Sequence, residues 1–297
     1  MIVLNMKLKF IDFFSYRKWG FFVSTILTVA TIIGYYTFGL NLGIDFRGGI
    51  VIEVRPNNEV LAQKSKATLL ERHNDILFQS SGDNMILRFQ NAANDTKAVD
   101  AIRAEILAID EEAQFIKVDY VGPKVSQDLI KKAVLCFFWT LFAVTLYILL
   151  RFNWKFSLGA ILSLCHDLVV SIGFFVFTRY EFDLTSIAAI LTVIGYSVND
   201  SVVIFDRIRE NANGKQKYDI DAKTINQSLN ETLSRTIMTF LTTFVACVAL
   251  WLFGGDNLKS FSAVITFGVA FGTYSSIFVS ANILPYLNKK YEFKRDS

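Results

Sequence analysis

The sequence contains few charged residues, and this scarcity indicates the class of protein. Aspartate, glutamate, lysine and arginine together make up 19% of the 297 residues, whereas soluble domains contain about 25%. Hydrophobic residues make up 53% and aromatic residues 14%, and only three prolines interrupt the chain. This composition excludes an ordinary soluble globule and indicates a membrane protein.

Other scarcities exclude classes of function. The net charge of +3 is too small for a nucleic-acid-binding surface. The spacing of the three cysteines, Cys136, Cys165 and Cys247, fits neither a metal site nor a disulfide framework, and we expect them to be small buried apolar groups. The sequence carries no nucleophile and base set, metal cluster or nucleotide motif. We therefore expect no enzyme activity, no metal and no cofactor.

Six apolar stretches are long enough to cross a bilayer, which takes about 20 helical residues. They are Trp19–Leu40, Ala133–Leu150, Phe156–Thr178, Leu184–Phe205, Thr236–Gly255 and Ser260–Leu287. The first follows basic residues and lacks a cleavage site, so we expect it to be an uncleaved anchor. Residues 1–40 then comprise the cytoplasmic N-terminus and this first transmembrane helix. Basic residues cluster before the first span, between the second and third, between the fourth and fifth, and in the tail 288–297. This distribution predicts that both termini are cytoplasmic.

The long loop 41–129 is predicted to be a separate extracytoplasmic α+β domain. Its patterns indicate the order β-α-β-β-α-β, which is typical of a ferredoxin-like domain. The elements are a strand at 50–54, a helix at 61–72, strands at 76–79 and 85–89, a helix at 96–107 and a strand at 115–121. His73, at a charged helix end, is expected to be an ordinary surface residue. The predicted fold is therefore a six-helix transmembrane bundle, residues 130–287 supplying spans two to six, with this domain between the first two helices.

A glycine-rich run opens the loop. It contains Gly43, Asp45, Phe46, Gly48 and Gly49. The run lacks the lysine and hydroxyl pair of a phosphate-binding loop, and it precedes a strand rather than a helix. A tight turn at the membrane exit is therefore favoured over a phosphate cradle.

Asp200 lies in the otherwise uncharged fourth span. A charge at the centre of a membrane helix costs about 2.5–3.5 kcal/mol, so such a residue needs a partner or a task. It lies about 9 Å from the inner boundary, whereas His166 and Asp167 of the third span lie about 16 Å from that boundary. Hydroxyl groups and water between these depths would complete one polar path.

Arg235 begins the fifth span and is the expected counter-ion of Asp200. It shares a helical face with Thr239 and Thr242, beside Thr243, and Ser197 adds a hydroxyl one turn before Asp200. Two interpretations remain open at this point. One is a proton relay in which the arginine approaches and retreats; the other is a static ion pair that locks two helices. The relay is favoured because placing the additional His166–Asp167 pair within the membrane costs more free energy than a purely structural role would justify.

Polar residues continue from mid-membrane to the inner end of the fourth span. Asn199, Asp206 and Glu210 share one helical face, and Arg207 and Arg209 lie among them. Residues 207–234 are predicted to contain an amphipathic helix that lies along the inner surface and links spans four and five. Small residues at four-residue intervals in the sixth span predict close helix packing; they are Gly268, Gly272, Ser276 and Ser280.

These motifs, in this order, resemble the SecF subunits of the bacterial Sec protein-export machinery, which belong to the SecD/SecF family. The resemblance covers nearly the whole chain. It rests on the runs 43–49, 121–123, 166–167, 195–200, 206–211 and 235–243. It implies a multi-pass protein of the bacterial inner membrane with a periplasmic loop domain. It also relates the chain to the resistance-nodulation-division transporters.

The resemblance further implies partners and site residues. The expected partners are SecD, the SecYEG translocon, the translocating preprotein and the lipid bilayer, with no nucleic acid. The pair of SecD and SecF would use the proton-motive force in late steps of export, with Asp200 as the proton-bearing carboxylate and Arg235 as its arginine. His166 and Asp167 match a family motif of less certain role. The alternatives are one half of a proton-driven exporter and a non-conducting assembly scaffold.

Overall fold

The computed structural model describes residues 10–57, 63, 65, 67–69, 76–81, 84–89, 96–212 and 220–288. The predicted helix at 61–72, His73 and the basic tail lie partly or wholly outside this part of the chain. The described elements, in order, are α1 (Arg17–Phe38), α2 (Ile44–Arg47), β1 (Gly49–Arg55), β2 (Ile76–Ser81), β3 (Asn84–Phe89), α3 (Thr96–Ile109), β4 (Gln114–Val121), α4 (Pro123–Arg151), α5 (Trp154–Thr178), α6 (Leu184–Ala212), α7 (Ala222–Phe253), α8 (Asp256–Ser275), a π-helical segment (Ser276–Ala281) and α9 (Leu284–Asn288).

Six helical stretches of the described chain are long and apolar enough to cross a membrane, as the sequence predicts. They are α1, α4, α5, α6, α7 and the sixth span, Leu258–Leu287, which runs from α8 through the π-helical segment into α9. At least half of the apolar stretch of α5, α6 and the sixth span is buried within the protein, but very little of α4 and α7 is. The three buried spans therefore form the centre of the bundle.

The cysteines lie elsewhere than expected. Cys136 and Cys165 are exposed on the protein, and Cys247 is only partly buried. The expectation of burial is wrong because an apolar residue in a membrane helix has two favourable environments, the protein interior and the lipid. Hydrophobicity alone does not distinguish between them.

The predicted surface helix between spans four and five is not a separate element. The fourth-span helix α6 extends to Ala212, and α7 runs without interruption from Ala222 to Phe253. Asp221 caps the start of α7, accepting hydrogen bonds from the backbone nitrogen and hydroxyl of Thr224, each at 2.7 Å. Because residues 222–253 include no glycine or proline, nothing interrupts the helix.

The start of α7 is nevertheless amphipathic, but its apolar face packs against the protein rather than against the membrane surface. Ile225, Leu229 and Leu233 are buried in one cluster with Ile204 and Ile208 of α6. The first third of α7 therefore packs as a helical hairpin against the end of α6. This packing fixes the rotation of α7 and decides which of its side chains face Asp200.

The strands in the described residues form one antiparallel sheet in the order β2-β3-β1-β4. Alternate residues of β1, Ile50, Ile52 and Val54, are fully buried and pack with Ile102 and Ile106 of α3. The period-2 burial of β1 and the two buried positions one turn apart on α3 explain why these segments form a strand and a helix. Residues 42–135 form a compact unit together with residues 182–184, distinct from the rest of the chain.

The glycine-rich run is more ordered than a tight turn. Ile44–Arg47 form the short helix α2, and Gly48 and Gly49 follow with φ angles of 76° and 125°. A non-glycine residue rarely adopts such angles, so the two glycines allow the chain to turn from α2 directly into β1. In place of the expected tight turn, the run thus forms a short helix followed by a sharp bend at Gly48 and Gly49, the glycine corner.

The small-residue stripe of the sixth span packs against α6, as its spacing predicts. A Cβ atom added to Gly268 would lie 2.3 Å from Cγ2 of Val193, and one added to Gly272 would lie 3.3 Å from Cβ of Ser197. Larger side chains at these positions would separate the two helices. The stripe therefore brings the sixth span close enough for its serines to reach the polar residues of α6.

Candidate functional site

Asp200 is buried in the bundle with only one of its oxygens engaged by the protein. The residue is 5% exposed, and its Oδ1 accepts a hydrogen bond from the hydroxyl of Thr236 at 3.0 Å. Its Oδ2 has no hydrogen-bond partner among the described residues. A buried polar atom in this state costs about 1–3 kcal/mol unless water or a proton satisfies it. Asp200 is thus hydrogen-bonded through one oxygen, while its other oxygen is buried without a partner among the described residues.

Arg235 does not form the ion pair that the sequence suggested. Its side chain is exposed, and no salt bridge joins it to Asp200 in the described structure, although it is close enough to attract the carboxylate electrostatically. The cause is helical geometry, because neighbouring residues point about 100° apart around the axis. The α7 hairpin turns Thr236 toward Asp200 and thereby turns Arg235 outward.

Thr236 is the residue that sequence reasoning missed. It continues the buried stripe of α7 at the spacing of Leu229 and Thr232, and it is itself 2% exposed. The signal was available in the pattern of positions 225, 229, 232, 233 and 236. It becomes decisive only once this stripe is known to pack against α6 rather than lie on a membrane surface.

The hydroxyls of the predicted stripe on α7 bond mainly to their own helix. Thr239 and Thr242 each donate to a carbonyl of their own helix one turn earlier, at 3.0 Å and 2.9 Å, and Thr243 is half-buried. Threonine commonly satisfies its hydroxyl in this way inside a helix. Asn199 is exposed on α6 and, among the described residues, forms no hydrogen bond with Asp200. These four side chains therefore stand outside the Asp200 contact.

Asp167 lies in a different and fully satisfied environment. Its Oδ2 accepts hydrogen bonds from the hydroxyls of Ser197 at 2.6 Å and Ser275 at 2.9 Å. Its Oδ1 lies 3.2 Å from Nδ1 of His166. Ser163 donates to Ser275 at 3.0 Å and so completes the cluster. This carboxylate ties α5, α6 and α8 together, with a hydrogen-bond partner for each oxygen.

A second serine cluster joins α6 to the π-helical segment. The hydroxyls of Ser201 and Ser276 lie 2.9 Å apart, and Ser276 donates to the carbonyl of Ser197 at 3.2 Å. Ser280 donates to Ser201 at 3.4 Å. Within the described residues these bonds do not reach Asp200, so the two carboxylates are not steps on one continuous hydrogen-bonded path of side chains.

Further polar atoms are buried on neighbouring helices. The Tyr196 hydroxyl, one turn from Asp200 on α6, lies close to the hydroxyls of Thr239 and Thr273, and Nε2 of His166 on α5 has no hydrogen-bond partner among the described residues. Buried polar groups of this kind are ordinarily satisfied by bound water.

The charged residues at the end of α6 divide into two groups. Asp206 contacts Arg151 at 3.1 Å and Arg209 at 3.0 Å, whereas Arg207 pairs with Glu210 and Glu231. Asp206, Arg207 and Glu210 are substantially exposed, and exposed pairs contribute about 0–1 kcal/mol each. The polar face predicted to be continuous is therefore divided, at the end of α6, into two surface ion-pair networks. The Asp206 network attaches α6 to the α4–α5 turn, and the Arg207 network attaches it to α7.

No group of three or more metal-binding side chains occurs within the described ranges. A carboxylate can gain and lose a proton, and with Thr236 bonded to Oδ1 the oxygen of Asp200 that is free to carry one is Oδ2.

Two family profiles match the chain. The one described as "Protein export membrane protein SecD/SecF, C-terminal" covers residues 101–290, and the "SecD/SecF GG Motif" covers residues 36–60. The chain is 41% identical over 290 residues to the protein translocase subunit SecF of Rickettsia felis, covering 95% of this chain and 94% of that protein. It is 42% identical over 288 residues to the Rickettsia bellii subunit, covering 95% of each.

Two crystal structures of SecDF share the fold. The first is the translocon-associated membrane protein SecDF of Thermus thermophilus, with a TM-score of 0.83 and 30% identity, covering 97% of this chain and 40% of that chain. The second is SecDF in its super-membrane-facing form, with a TM-score of 0.67 and 28% identity, covering 94% of this chain and 39% of that chain. The chain thus spans about two fifths of the solved SecDF proteins. It belongs to the SecD/SecF family of protein-export membrane proteins, with SecF subunits as its relatives.

Proposed function

We propose that this chain is an energy-coupling subunit of the Sec translocase that works with SecD. In this proposal it uses the proton-motive force to promote the late steps of preprotein movement through SecYEG. Membership of the protein-export family supports the general role. The observation that supports proton coupling is the buried Asp200 carboxylate, whose second oxygen is unpaired in the described structure. Asp200, Thr236 and the electrostatic influence of Arg235 form the proposed proton site.

The proposed arrangement in the bacterial inner membrane follows the distribution of basic residues. The N- and C-terminal segments and the α6–α7 connection are cytoplasmic, and the sheet unit is a periplasmic ferredoxin-like domain. The strand order β2-β3-β1-β4 supports this domain type, because a β-α-β-β-α-β chain with split β-α-β units produces it. The proton site then lies nearer the cytoplasmic side, about two helical turns from Asp206.

The energy of one proton is sufficient for a conformational switch. One charge crossing 100 mV releases about 2.3 kcal/mol, which is comparable to the cost of holding a charge within the membrane. Protonation of Asp200 removes that cost and favours tighter packing of α7 on α6. Deprotonation restores the charge and its attraction to Arg235. The two states therefore differ in the position of α7 relative to α6.

Purified components provide the direct test of this function. Vesicles are prepared with SecYEG and SecD, with or without this chain. A preprotein is pushed into them by the ATP-driven export motor, and the rate of completed export is measured with and without a proton gradient. We expect the gradient to accelerate export only in vesicles that contain the chain. Equal acceleration in both preparations would contradict the proposal, and failure of SecD to co-purify with the chain would favour the solute-exporter alternative.

The Thr236 contact makes a separate prediction. In Thr236→Val the shape of the side chain is nearly unchanged, but Asp200 loses its hydrogen bond from α7, so we expect gradient-driven export to slow by roughly fivefold. Thr242→Val is the matched control, because within the described residues the Thr242 hydroxyl bonds only carbonyls of its own helix, and its export rate should equal the wild-type rate. Equal effects of the two substitutions would show that the Thr236–Asp200 contact has no special role.

A further inference from the structure

The glycine-rich run contacts the segment that precedes α6. Leu42 and Phe182 form a parallel β-bridge, and the backbone nitrogen of Gly43 donates to the carbonyl of Phe182 at 2.8 Å. The rings of Phe46 and Phe182 are in contact, with their centroids 5.6 Å apart and their planes inclined by 32°. Backbone pairing and ring contact therefore hold residues 42–46 against residue 182.

Asp45 extends this contact to α6 itself. Its Oδ2 accepts a hydrogen bond at 3.0 Å from the backbone nitrogen of Leu184, the first residue of the helix. The first amides of a helix have no acceptor within the helix, and a carboxylate there also interacts favourably with the helix dipole. Asp45 thus caps a helix that lies far from it in sequence.

The same run is attached to the sheet. Strand β1 begins at Gly49, immediately after the glycine corner, and a Cβ atom on Gly48 would lie 3.2 Å from the carbonyl oxygen of Val121 at the end of β4. Ser126, at the start of α4, donates to the carbonyl of Ile44 at 3.4 Å. The run is therefore packed between the sheet and the first residue of α6.

The helix that Asp45 caps is the one that carries Asp200, sixteen residues further along, or about 24 Å at 1.5 Å per residue. We propose that Asp45 is a positioning residue that fixes the start of α6 to the sheet domain, so that movement of α6 on protonation of Asp200 moves that domain. This inference rests on the proposed function and assigns the glycine-rich run its task within it. Loss of the Asp45 cap would then separate proton movement from export.

The test compares two substitutions in vesicles containing SecYEG, SecD and the full chain, with proton uptake and export measured on the same preparation. Asp45→Ala removes the acceptor, and we expect proton uptake to continue while export falls about fivefold, the effect of losing a helix cap. Asp45→Asn keeps an oxygen acceptor of the same size, and we expect both rates to remain near wild type. The amount of assembled complex is measured for each variant.

A cross-link provides an independent measurement. Residues paired in a β-bridge have Cα atoms about 5 Å apart, within the range of a disulfide. The pair Leu42→Cys and Phe182→Cys is therefore introduced into a variant whose native cysteines are replaced by serine. Because the proposal requires this contact to persist through the cycle, oxidation should leave both rates unchanged. If Asp45→Ala does not assemble, this measurement decides the question.

The outcomes separate this inference from the function on which it rests. Wild-type export by Asp45→Ala, equal loss of uptake and export in that variant, or a block of export by the disulfide would each overturn the coupling role. Each of these results leaves the proton site intact as a proposal. Failure of the proton site itself would be seen as wild-type proton uptake by Asp200→Asn, whatever the Asp45 variants do.

Discussion

Asp200→Asn is expected to assemble normally and to lose all acceleration of export by a proton gradient. Asparagine has the shape of aspartate, and its amide oxygen can still accept the hydrogen bond from Thr236, so α6 and α7 should pack as before. It cannot gain or lose a proton at neutral pH. The energy of one charge crossing 100 mV, about 2.3 kcal/mol, corresponds to roughly fiftyfold in a rate and is the most that the variant can lose per proton.

The measurement is the rate of completed export in vesicles containing SecD and SecYEG, with the gradient imposed and then collapsed. Asp206→Asn is the matched control, because it removes a carboxylate from the same helix at an exposed position. The control should keep the response to the gradient, and Asp200→Asn should not. A wild-type response in Asp200→Asn would exclude this carboxylate as the proton carrier.

Asp167 is expected to affect stability instead. Asp167→Ala removes the acceptor of two interhelical hydrogen bonds, from Ser197 and Ser275. Such bonds contribute about 0.6–1.7 kcal/mol each in membrane proteins, so we expect a loss of about 2 kcal/mol in the free energy of unfolding. Asp167→Asn keeps an oxygen acceptor for both serines and should unfold at nearly the wild-type denaturant concentration.

Unfolding in mixed micelles measures the stability of both variants, and proton uptake is recorded in parallel. Thr242→Val serves as the control because its hydroxyl bonds only its own helix, and its stability should be unchanged. We expect Asp167→Asn to take up protons at the wild-type rate. Loss of uptake with retained stability would instead make Asp167 part of the relay, as the sequence first suggested.

These two predictions separate residues that the sequence alone treats alike. Both carboxylates lie in apolar spans, and for both the free energy of inserting a charge into the membrane is high enough to require an explanation. The sequence could not show that Ser197 and Ser275 come from two different helices to satisfy Asp167, because their positions are far apart in the chain. The contrast between a fully paired carboxylate and a half-paired one therefore required the packed bundle.

Arg235 and Thr236 illustrate the limit of helical periodicity. The pattern of residues 235, 239 and 242 correctly predicts a shared face, but periodicity does not specify what that face contacts. The rotation of α7 is set by Ile225, Leu229 and Leu233, which pack against α6. That contact turns the neighbouring threonine inward, and the arginine stays outside with only a longer-range attraction to Asp200.

The sequence by itself determined the six spans, the strand order along the chain and the position of Asp200, because hydrophobic length, alternation and the cost of a buried charge are local properties. The small-residue stripe of the sixth span is local in the same way, and its close packing was predicted. Only the tertiary structure decided which carboxylate is satisfied, which residue of α7 touches Asp200, and that Asp45 caps α6. Each of these depends on segments distant in sequence meeting in one orientation, and that orientation is fixed by packing between elements.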